Sequence, residues 1–303
     1  MMARMSRFER RPASRDDAAA AAEIVIAYER SLYGETTYTR DDLDAEWESI
    51  DLARDAIVLL EDGDVVAFGS VFDRGALWRT DAYVHPAHHG KGIGTQLAEE
   101  LESTAAARGA KRIQSGVAEP DDAGRSLFAA LGYEPVRVFR EMRVELVEPP
   151  DRPRWPDGLV ASAFDRERDA EAFHEAQQDA FADHWESRAR PFVEWRDFHI
   201  ANDRFDPSLW GIVRDGDEVV AGTICEADRY GGGWVAVLFT RRQWRGKGAG
   251  RALLQDAFAR FWERGERSVG LSVDADGTLG AFHLYESAGM RPSLGWVMFE
   301  KTL

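Results

Sequence analysis

The sequence predicts two α/β domains of similar size that arose by duplication of one unit. A strand-like run, a loop of glycines and basic residues, and an amphipathic helix follow one another twice, at 77–101 and 234–261. The glycines that mark the two copies, Gly92 and Gly248, lie 156 positions apart (248 − 92). A chain of 303 residues accommodates two units of about 150 residues, an ordinary domain size.

The segments before the glycine loops also repeat. Thr39 and Asp42 form a capping-box pattern, which predicts the start of a short helix. The apolar runs 56–60 and 65–68 flank an Asp-Gly turn, which predicts a β-hairpin. The same hairpin pattern returns at 210–222, so the repeat extends well upstream of the loops.

A proline-rich connector separates the halves. Residues 148–158 contain four prolines, which disfavour regular pairing and favour an extended chain. We therefore predict an N-terminal domain at 1–147 and a C-terminal domain at 159–303. The connector includes Trp155, which we expect to pack against the protein.

Composition restricts the function classes. The net charge of −16 argues against a nucleic-acid partner, and no apolar run reaches the roughly 18 residues that would span a membrane. We expect a cytoplasmic protein, either a monomer or a homodimer. His85, His88 and His89 are a metal cluster by residue type, but no further ligands lie nearby in the sequence, so we expect no metal site.

The loop in the second half reverses this charge locally. Residues 241–251 hold five cations, which indicates a polyanionic ligand. The start of the following helix offers unpaired backbone N–H groups and a positive dipole end. Glycines allow phosphate oxygens to approach the main chain.

The motifs of the second half resemble those of the GCN5-related N-acetyltransferase (GNAT) superfamily, in a tandem form similar to mycothiol synthase. The superfamily's loop has Gln or Arg, two residues, Gly, one residue, then Gly or Ala, and residues 245–250 fit it fully. Leu284-Tyr285 and Ala288-Gly289-Met290 follow at the expected places. The resemblance implies two domains, each a mixed, mostly antiparallel sheet flanked by helices. It also implies acetyl-CoA-dependent transfer to an amine of a small molecule or peptide; the alternative is a non-catalytic acyl-CoA-binding or sensor protein.

The resemblance also implies site residues. In the second half, loop amides would bind the pyrophosphate of acetyl-CoA, and the end of the preceding strand would pair with the pantetheine arm. The corresponding positions of the first half would bind a structural acetyl-CoA. The predicted cofactor contacts are Leu238, Phe239, Thr240, Arg245, Gly246, Lys247, Gly248, Ala249, Gly250 and Arg251 in the second half, and Tyr83, Val84, His89, Gly90, Lys91, Gly92, Ile93, Gly94 and Thr95 in the first.

Three residues are candidates for proton transfer. The family often uses a tyrosine at the place of Tyr285 to protonate the departing thiolate; the alternative is that this tyrosine only packs. The second central strand has Val237 where similar enzymes carry a carboxylate. Glu226 and Asp228, at the end of the adjoining strand, are the nearest candidates for the base; we favour Glu226, and a water chain to solvent is the alternative.

The first domain departs from the family pattern at two positions. His89 replaces the Gln or Arg of the loop, and Phe128, which cannot donate a proton, stands where Tyr285 stands in the second half. We therefore predict that this domain is degenerate. Asp81, at a place where some family members carry a base, leaves an active first domain as the alternative.

The acceptor pocket should involve residues 180–186 and 191–195, where the superfamily has variable helices. Aromatic and acidic side chains there suit a cationic, partly apolar amine. The alternative is a helix pair buried at a domain interface.

Overall fold

The computed structural model describes residues 8–277 and 280–303. These residues form two compact units. Unit 1 takes in the described residues up to Phe139 together with Leu294–Leu303, and unit 2 takes in those of Arg140–Ser293. The units reflect contacts within the fold, whereas the predicted domain boundaries follow the sequence repeat and stay a prediction.

Strands and helices alternate along the chain, which confirms the predicted α/β class. Among the described residues, the strands are β1 (Glu9–Pro12), β2 (Ala56–Glu61), β3 (Asp64–Arg74), β4 (Leu77–Val84), β5 (Arg112–Ala118), β6 (Glu134–Glu145), β7 (Leu159–Ala163), β8 (Gly211–Asp215), β9 (Glu218–Arg229), β10 (Gly232–Thr240), β11 (Ser268–Asp274) and β12 (Arg291–Thr302). The helices are α1 (Ala18–Tyr33), α2 (Arg40–Trp47), α3 (Leu52–Asp55), α4 (Ile93–Ala107), α5 (Asp122–Ala130), α6 (Arg166–Phe181), α7 (Phe192–His199), α8 (Ala249–Glu263) and α9 (Ala281–Ser287). None of these helices is both long and apolar enough to cross a membrane.

The sheet of unit 1 has the order β1-β2-β3-β4-β5-β12. Its neighbours are antiparallel except for β4 and β5, which are parallel. The predicted hairpin β2–β3 turns at Asp62 and Gly63, and the φ of +92° at Gly63 suits glycine. The last strand pairs with β5 from Trp296, opposite Ala118, onward. The predicted mixed, mostly antiparallel sheet is confirmed.

The sheet of unit 2 repeats this plan in the order β7-β8-β9-β10-β11-β6. Strands β7 to β10 form antiparallel pairs, and β10 is parallel to β11. The predicted hairpin β8–β9 turns at Gly216, whose φ is +56°. In each unit, the strand that leads into the glycine loop is therefore parallel to one of its neighbours, β4 to β5 in unit 1 and β10 to β11 in unit 2.

Helices cover both faces of each sheet. In unit 1, Trp47 of α2 belongs to the apolar core on one face, and Leu97 of α4 belongs to the core on the other. In unit 2, Phe173 of α6 meets the ring of Phe239 edge-on, with 4.9 Å between centroids. Leu253 of α8 is fully buried in a separate cluster. This layered packing places a helix over each face of the strands that carry the predicted site.

Two local predictions are confirmed. Thr39 accepts a hydrogen bond from the Asp42 N–H over 3.3 Å, and the Asp42 carboxylate accepts from the Thr39 N–H over 2.9 Å, which completes the capping box. Trp155 of the connector packs beside Leu159 and Val220. The connector is therefore anchored to unit 2.

Candidate active site

The basic glycine loop of unit 2 lies between β10 and α8. The strand ends at Thr240, Arg242–Trp244 forms one 3-10 turn, and α8 begins at Ala249. Gly246 and Gly248 have φ values of +72° and +94°, a left-handed conformation that favours glycine. Nothing lies within 4 Å of the place that a Cβ on Gly246 would take. The loop is open there, and the uncapped start of α8 offers its N–H groups to an anion.

The Arg245 side chain is bound within the protein. It donates to Asp183 Oδ2 over 2.9 Å and to the carbonyl oxygens of Ala180 (2.6 Å) and Thr240 (3.3 Å). Its hydrogen bond lowers the pKa of Asp183 to about 2. Arg245 therefore ties the loop to α6 and to the end of β10.

Three other basic side chains of the loop, those of Arg242, Lys247 and Arg251, are exposed. Arg242 lies 3.3 Å from the Asp183 carboxylate. Lys247 Nζ lies 4.3 Å from the ring centroid of Trp244, and Arg251 donates to the carbonyl of Ser287, at the end of α9, over 3.3 Å. Lys247 and Arg251 form no ion pair with a described residue, so their charges are open to an incoming anion.

The strands β10 and β11 separate beyond their first residues. They pair only at Gly233 and Trp234 of β10, whereas β10 stays paired with β9 up to Thr240. The main-chain groups of Leu238–Thr240 that point away from β9 therefore have no partner in β11. An extended chain can add to such an edge through main-chain hydrogen bonds.

Tyr285 lies on α9 and is 8% exposed. Its hydroxyl has no hydrogen-bond partner among the described residues, and burial raises the pKa of Tyr285 to about 12. Phe128 of α5 occupies the matching backbone position in unit 1. Its carbonyl accepts a hydrogen bond from the Tyr133 N–H over 3.0 Å, and the carbonyl of Tyr285 accepts one from the Met290 N–H over 3.1 Å. Tyr285 therefore keeps its proton at neutral pH, and unit 1 has no proton donor at the matching position.

A cavity of 540 Å³ opens in unit 2 between the 177–199 segment and strands β9 and β10. The strands contribute Glu226, Trp234 and Val237. The segments predicted to shape an acceptor pocket contribute Phe181, His184, Trp185 and Trp195. Glu226 is thus brought to the same cavity as the predicted acceptor segments.

Cations outnumber anions around this cavity. Arg188, Arg190 and Arg229 line it, and Glu226 is its one lining carboxylate among the described residues. Glu226 lies 3.4 Å from Arg229 Nε and 3.7 Å from Arg204 Nε. The candidate base, Glu226, therefore lies on an arginine-rich side of the cavity.

The acidic side chains that led us to expect a cationic acceptor have other partners. Asp183 pairs with Arg245, as described above, and Glu194 lies 3.6 Å from Arg188. Neither carboxylate lines the cavity. The carboxylates of Asp183 and Glu194 therefore add no negative charge to the lining of the cavity, and the cationic acceptor stays a prediction.

A β-bulge at Ala236 turns Trp234 into the cavity. Val235 and Val237 pair with successive residues of β9, which leaves Ala236 without a partner there. Such an extra residue reverses the alternation of side chains along the strand. The matching strand β4 has an unbroken register, and Trp78, which aligns with Trp234 in sequence, is 1% exposed in the core beside α4.

The glycine loop of unit 1 has the same backbone conformation as that of unit 2. Gly90 and Gly92 have φ values of +74° and +83°, and α4 follows directly. His89 Nε2 lies 3.0 Å from the Val84 carbonyl oxygen, in the position of the Arg245 contact with Thr240. The other predicted contacts, Ile93, Gly94 and Thr95, form the first turn of α4, and Tyr83 precedes Val84 on β4.

Two further polar residues of this loop, His88 and Lys91, contact the same carboxylate of β2. Lys91 Nζ and His88 Nδ1 lie 2.8 Å and 2.9 Å from the Glu61 carboxylate. Among the described residues, no group of three or more His, Cys, Asp or Glu side chains could hold a metal ion.

Asp81 of unit 1 has no carboxylate counterpart on β10. It pairs in register with Ser70, whose buried hydroxyl has no hydrogen-bond partner among the described residues. Burial raises the pKa of Asp81 to about 6. Unit 1 therefore has a polar pair where unit 2 has Val237 opposite Ile224.

Sequence reasoning missed the arginines of the cavity and the bulge. Arg188 and Arg190 alternate beside the predicted acceptor segment, a signal that could have been used. No residue pattern in β10 marks Ala236 as an extra residue. Its position depends on pairing with β9.

The comparisons with known proteins agree with this geometry. The sequence matches the model of the Acetyltransferase (GNAT) family over residues 20–133 and 170–290. It is 30% identical to the mycothiol acetyltransferase of Cellulomonas flavigena over 235 residues, which cover 73% of this chain and 66% of that relative. A GCN5-related N-acetyltransferase from Sphaerobacter thermophilus has a similar structure, with a TM-score of 0.88, 31% identity, and coverage of 98% of this chain and 96% of that one. A tandem GNAT protein from the clavulanic acid biosynthesis pathway shares the fold, with a TM-score of 0.75 and 15% identity over 97% of this chain and 98% of that one.

Proposed function

The chain belongs to the GNAT acetyltransferase family, and from this premise we propose that unit 2 transfers the acetyl group of acetyl-CoA to the amine of a small molecule or peptide. Family membership confirms the predicted acyltransferase class, and nothing in the comparisons supports the non-catalytic alternative. The family uses acetyl-CoA as its substrate. The predicted tandem organisation is supported by the two matched regions.

The donor binds along the opening between β10 and β11. Its pyrophosphate lies on the main-chain amides of residues 245–250 and the start of α8, which the left-handed glycines leave accessible. Lys247 and Arg251 add charge, while Arg245 fixes the loop. The pantetheine arm pairs with Leu238–Thr240. The matching loop of unit 1 has the same glycine conformation, which supports a second, structural acetyl-CoA there.

Acetyl-CoA supplies an acetyl group activated as a thioester. The neutral amine attacks the thioester carbon, a C–N bond forms, and the C–S bond breaks. Unpaired N–H groups of β10 donate to the carbonyl oxygen as its negative charge grows. Tyr285 gives its phenolic proton to the departing sulfur and regains one from solvent. Glu226 accepts the proton of the attacking amine, directly or through water.

The observation that carries this proposal is the buried, protonated Tyr285 on α9, at the position that Phe128 takes in unit 1. Tyr285→Phe removes the proton and keeps the ring. We expect kcat to fall about 100-fold, the usual contribution of a positioned acid, while the dissociation constant for acetyl-CoA changes less than about two-fold. Thiol release measures the first quantity and calorimetry the second.

The matched control is Tyr133→Phe, which removes a mostly buried hydroxyl from unit 1. It should leave turnover unchanged. A Tyr285→Phe variant that keeps more than half of the wild-type kcat would show that the thiolate takes its proton from another group.

A further inference from the structure

One arginine of the unit 2 cavity forms no ion pair with any described residue, although the charge of Glu194 acts on it from beyond ion-pair distance. Arg188 lies 3.6 Å from Glu194, and Arg229 lies 3.4 Å from Glu226. The guanidinium of Arg190 forms no ion pair or hydrogen bond with any residue that the structure describes, although it lines the same cavity. A cation that is half-buried without a counter-ion is a natural partner for an anionic ligand.

The main chain of Arg190 is held on both sides. Its N–H donates to Gln178 Oε1 over 2.9 Å, and its carbonyl lies 2.7 Å from His174 Nε2. The guanidinium carbon lies 4.6 Å from the ring centroid of Phe198. A guanidinium presents its N–H groups as a planar fork that matches the two oxygens of a carboxylate. Because the guanidinium of Arg190 has no partner among the described residues, this fork is available to a carboxylate in the cavity.

The electrostatics at this end of the cavity favour a negative charge. Burial, followed by the charge of Arg188, lowers the pKa of Arg190. Burial and the charges of Arg190 and His174 lower the pKa of His199 to about 3. Each shift reflects an environment in which positive charge is poorly compensated. An anion bound there would relieve that imbalance.

We propose that the acceptor amine of unit 2 also carries a carboxylate, which Arg190 binds. This inference rests on the proposed function. The rings of Trp185, Tyr230 and Trp234 line the same cavity, so the body of the acceptor between amine and carboxylate is apolar or aromatic. The acceptor class is therefore the amino acids and related amino carboxylates, and not polyamines or other purely cationic amines.

The test uses pairs of amines that differ only in the carboxylate: L-tryptophan against tryptamine, and 4-(aminomethyl)benzoate against benzylamine. Acetylation is followed by thiol release, and wild type should prefer the carboxylate member of at least one pair by about 10-fold in kcat/KM. Phosphoethanolamine against ethanolamine tests a phosphate in place of the carboxylate. A larger preference in that pair, or a preference for the members that lack the carboxylate, would overturn the proposal.

Arg190→Gln should abolish this preference, lower kcat/KM for the carboxylate member about 10-fold, and leave the member without the carboxylate within about two-fold of wild type. The matched control is Arg196→Gln on α7, whose exposed guanidinium pairs with Asp197 over 2.7 Å and does not line the cavity. It should retain the preference. If Arg190→Gln instead raises KM for acetyl-CoA, the arginine binds the donor and the proposal fails.

Direct binding separates this inference from the proposed function. Quenching of tryptophan fluorescence by benzoate and 4-(aminomethyl)benzoate measures occupation of the cavity without turnover, because Trp185, Trp195 and Trp234 line it. We expect Arg190→Gln to weaken both about 10-fold relative to Arg196→Gln. Binding without acetylation of any amine would leave the carboxylate site intact and remove the proposed function. Binding that is unaffected by Arg190→Gln would remove the inference alone.

Discussion

The two units have the same loop but different surroundings for it. In both units, two glycines in the left-handed conformation lead into a long helix. The residue before the first of these glycines, His89 in unit 1 and Arg245 in unit 2, contacts the carbonyl at the end of the preceding strand. The neighbouring positions differ: Phe128 replaces Tyr285, and Asp81 replaces Val237. Under the proposed function, the shared backbone conformation would bind the donor phosphates in both units, whereas these few side chains would confine the chemistry to unit 2.

The bulge in β10 is a second difference between the units. With an unbroken register, Trp78 lies in the core beside α4, but the extra residue Ala236 turns Trp234 toward the cavity. A register shift of one residue thus places this tryptophan in the lining of the proposed acceptor site rather than in the core. The duplication supplied the scaffold, and local changes in unit 2 adapted one copy.

The largest expected effect comes from adding a negative charge to one loop at a time. Gly248→Glu should weaken acetyl-CoA binding to unit 2 by about 100-fold and abolish turnover, because its carboxylate repels the pyrophosphate and the φ of +94° strains any side chain. Gly92→Glu should remove the structural site in unit 1 and leave kcat/KM within about two-fold of wild type. Calorimetric titration with acetyl-CoA counts the sites in each variant.

Two sites in wild type and one in each variant would support this division of roles. One site in wild type, lost in Gly248→Glu and retained in Gly92→Glu, would make unit 1 a scaffold without ligand. Equal loss of turnover in both variants would contradict the assignment of catalysis to unit 2.

A smaller effect should follow from loosening the loop of unit 2. Arg245→Gln and Asp183→Asn each remove the ion pair between the loop and the residue that follows α6 by two positions, and Arg245→Gln also removes the hydrogen bonds to Ala180 and Thr240. Arg245→Gln should raise KM for acetyl-CoA about 10-fold with little change in kcat, and Asp183→Asn should raise it less. The double variant should be no worse than Arg245→Gln alone, because that variant has already lost the pair. His89→Gln in unit 1 is the matched control and should leave this KM unchanged.

The pH dependence of this pair has a definite sign. The pKa of Asp183 is lowered from 3.8 to about 2, so the carboxylate stays charged above pH 3.8 and the pair is lost only as pH falls toward 2. KM for acetyl-CoA should therefore show no contribution from Asp183 between pH 5 and 8. Additive effects in the double variant would mean that Asp183 acts independently of Arg245, through its second partner Arg242 at 3.3 Å.

Much of the fold could be predicted from the sequence because its signals are local. The hairpin turns, the Thr39 capping box and the glycine loops each depend on residues within a few positions of one another. The partners of the charged residues depend on distant elements. Asp183 meets Arg245 across 62 positions, and Glu194 approaches Arg188 rather than Arg190, which forms no ion pair within the described part of the chain. The polarity of the cavity could not be predicted for that reason.

The smallest expected effect concerns Asp81, where unit 1 keeps a carboxylate that unit 2 lacks. Burial raises the pKa of Asp81 from 3.8 to about 6, so the native state favours the protonated form and loses stability relative to the unfolded chain as pH rises from about 4 to 6. Asp81→Asn is neutral throughout. It should therefore be more stable than wild type by about 1–2 kcal/mol at pH 7.5 and show little difference at pH 4.

Urea unfolding of both proteins at the two pH values measures this difference, and turnover of the same variant tests its role. Asp81→Asn should leave turnover unchanged, since Phe128 supplies no proton in unit 1. If it lowers turnover instead, Asp81 acts as a base and unit 1 is a second active site. A stability difference that is the same at both pH values would mean that the carboxylate is solvated, and the contrast between Asp81 and Val237 would then be one of packing rather than charge.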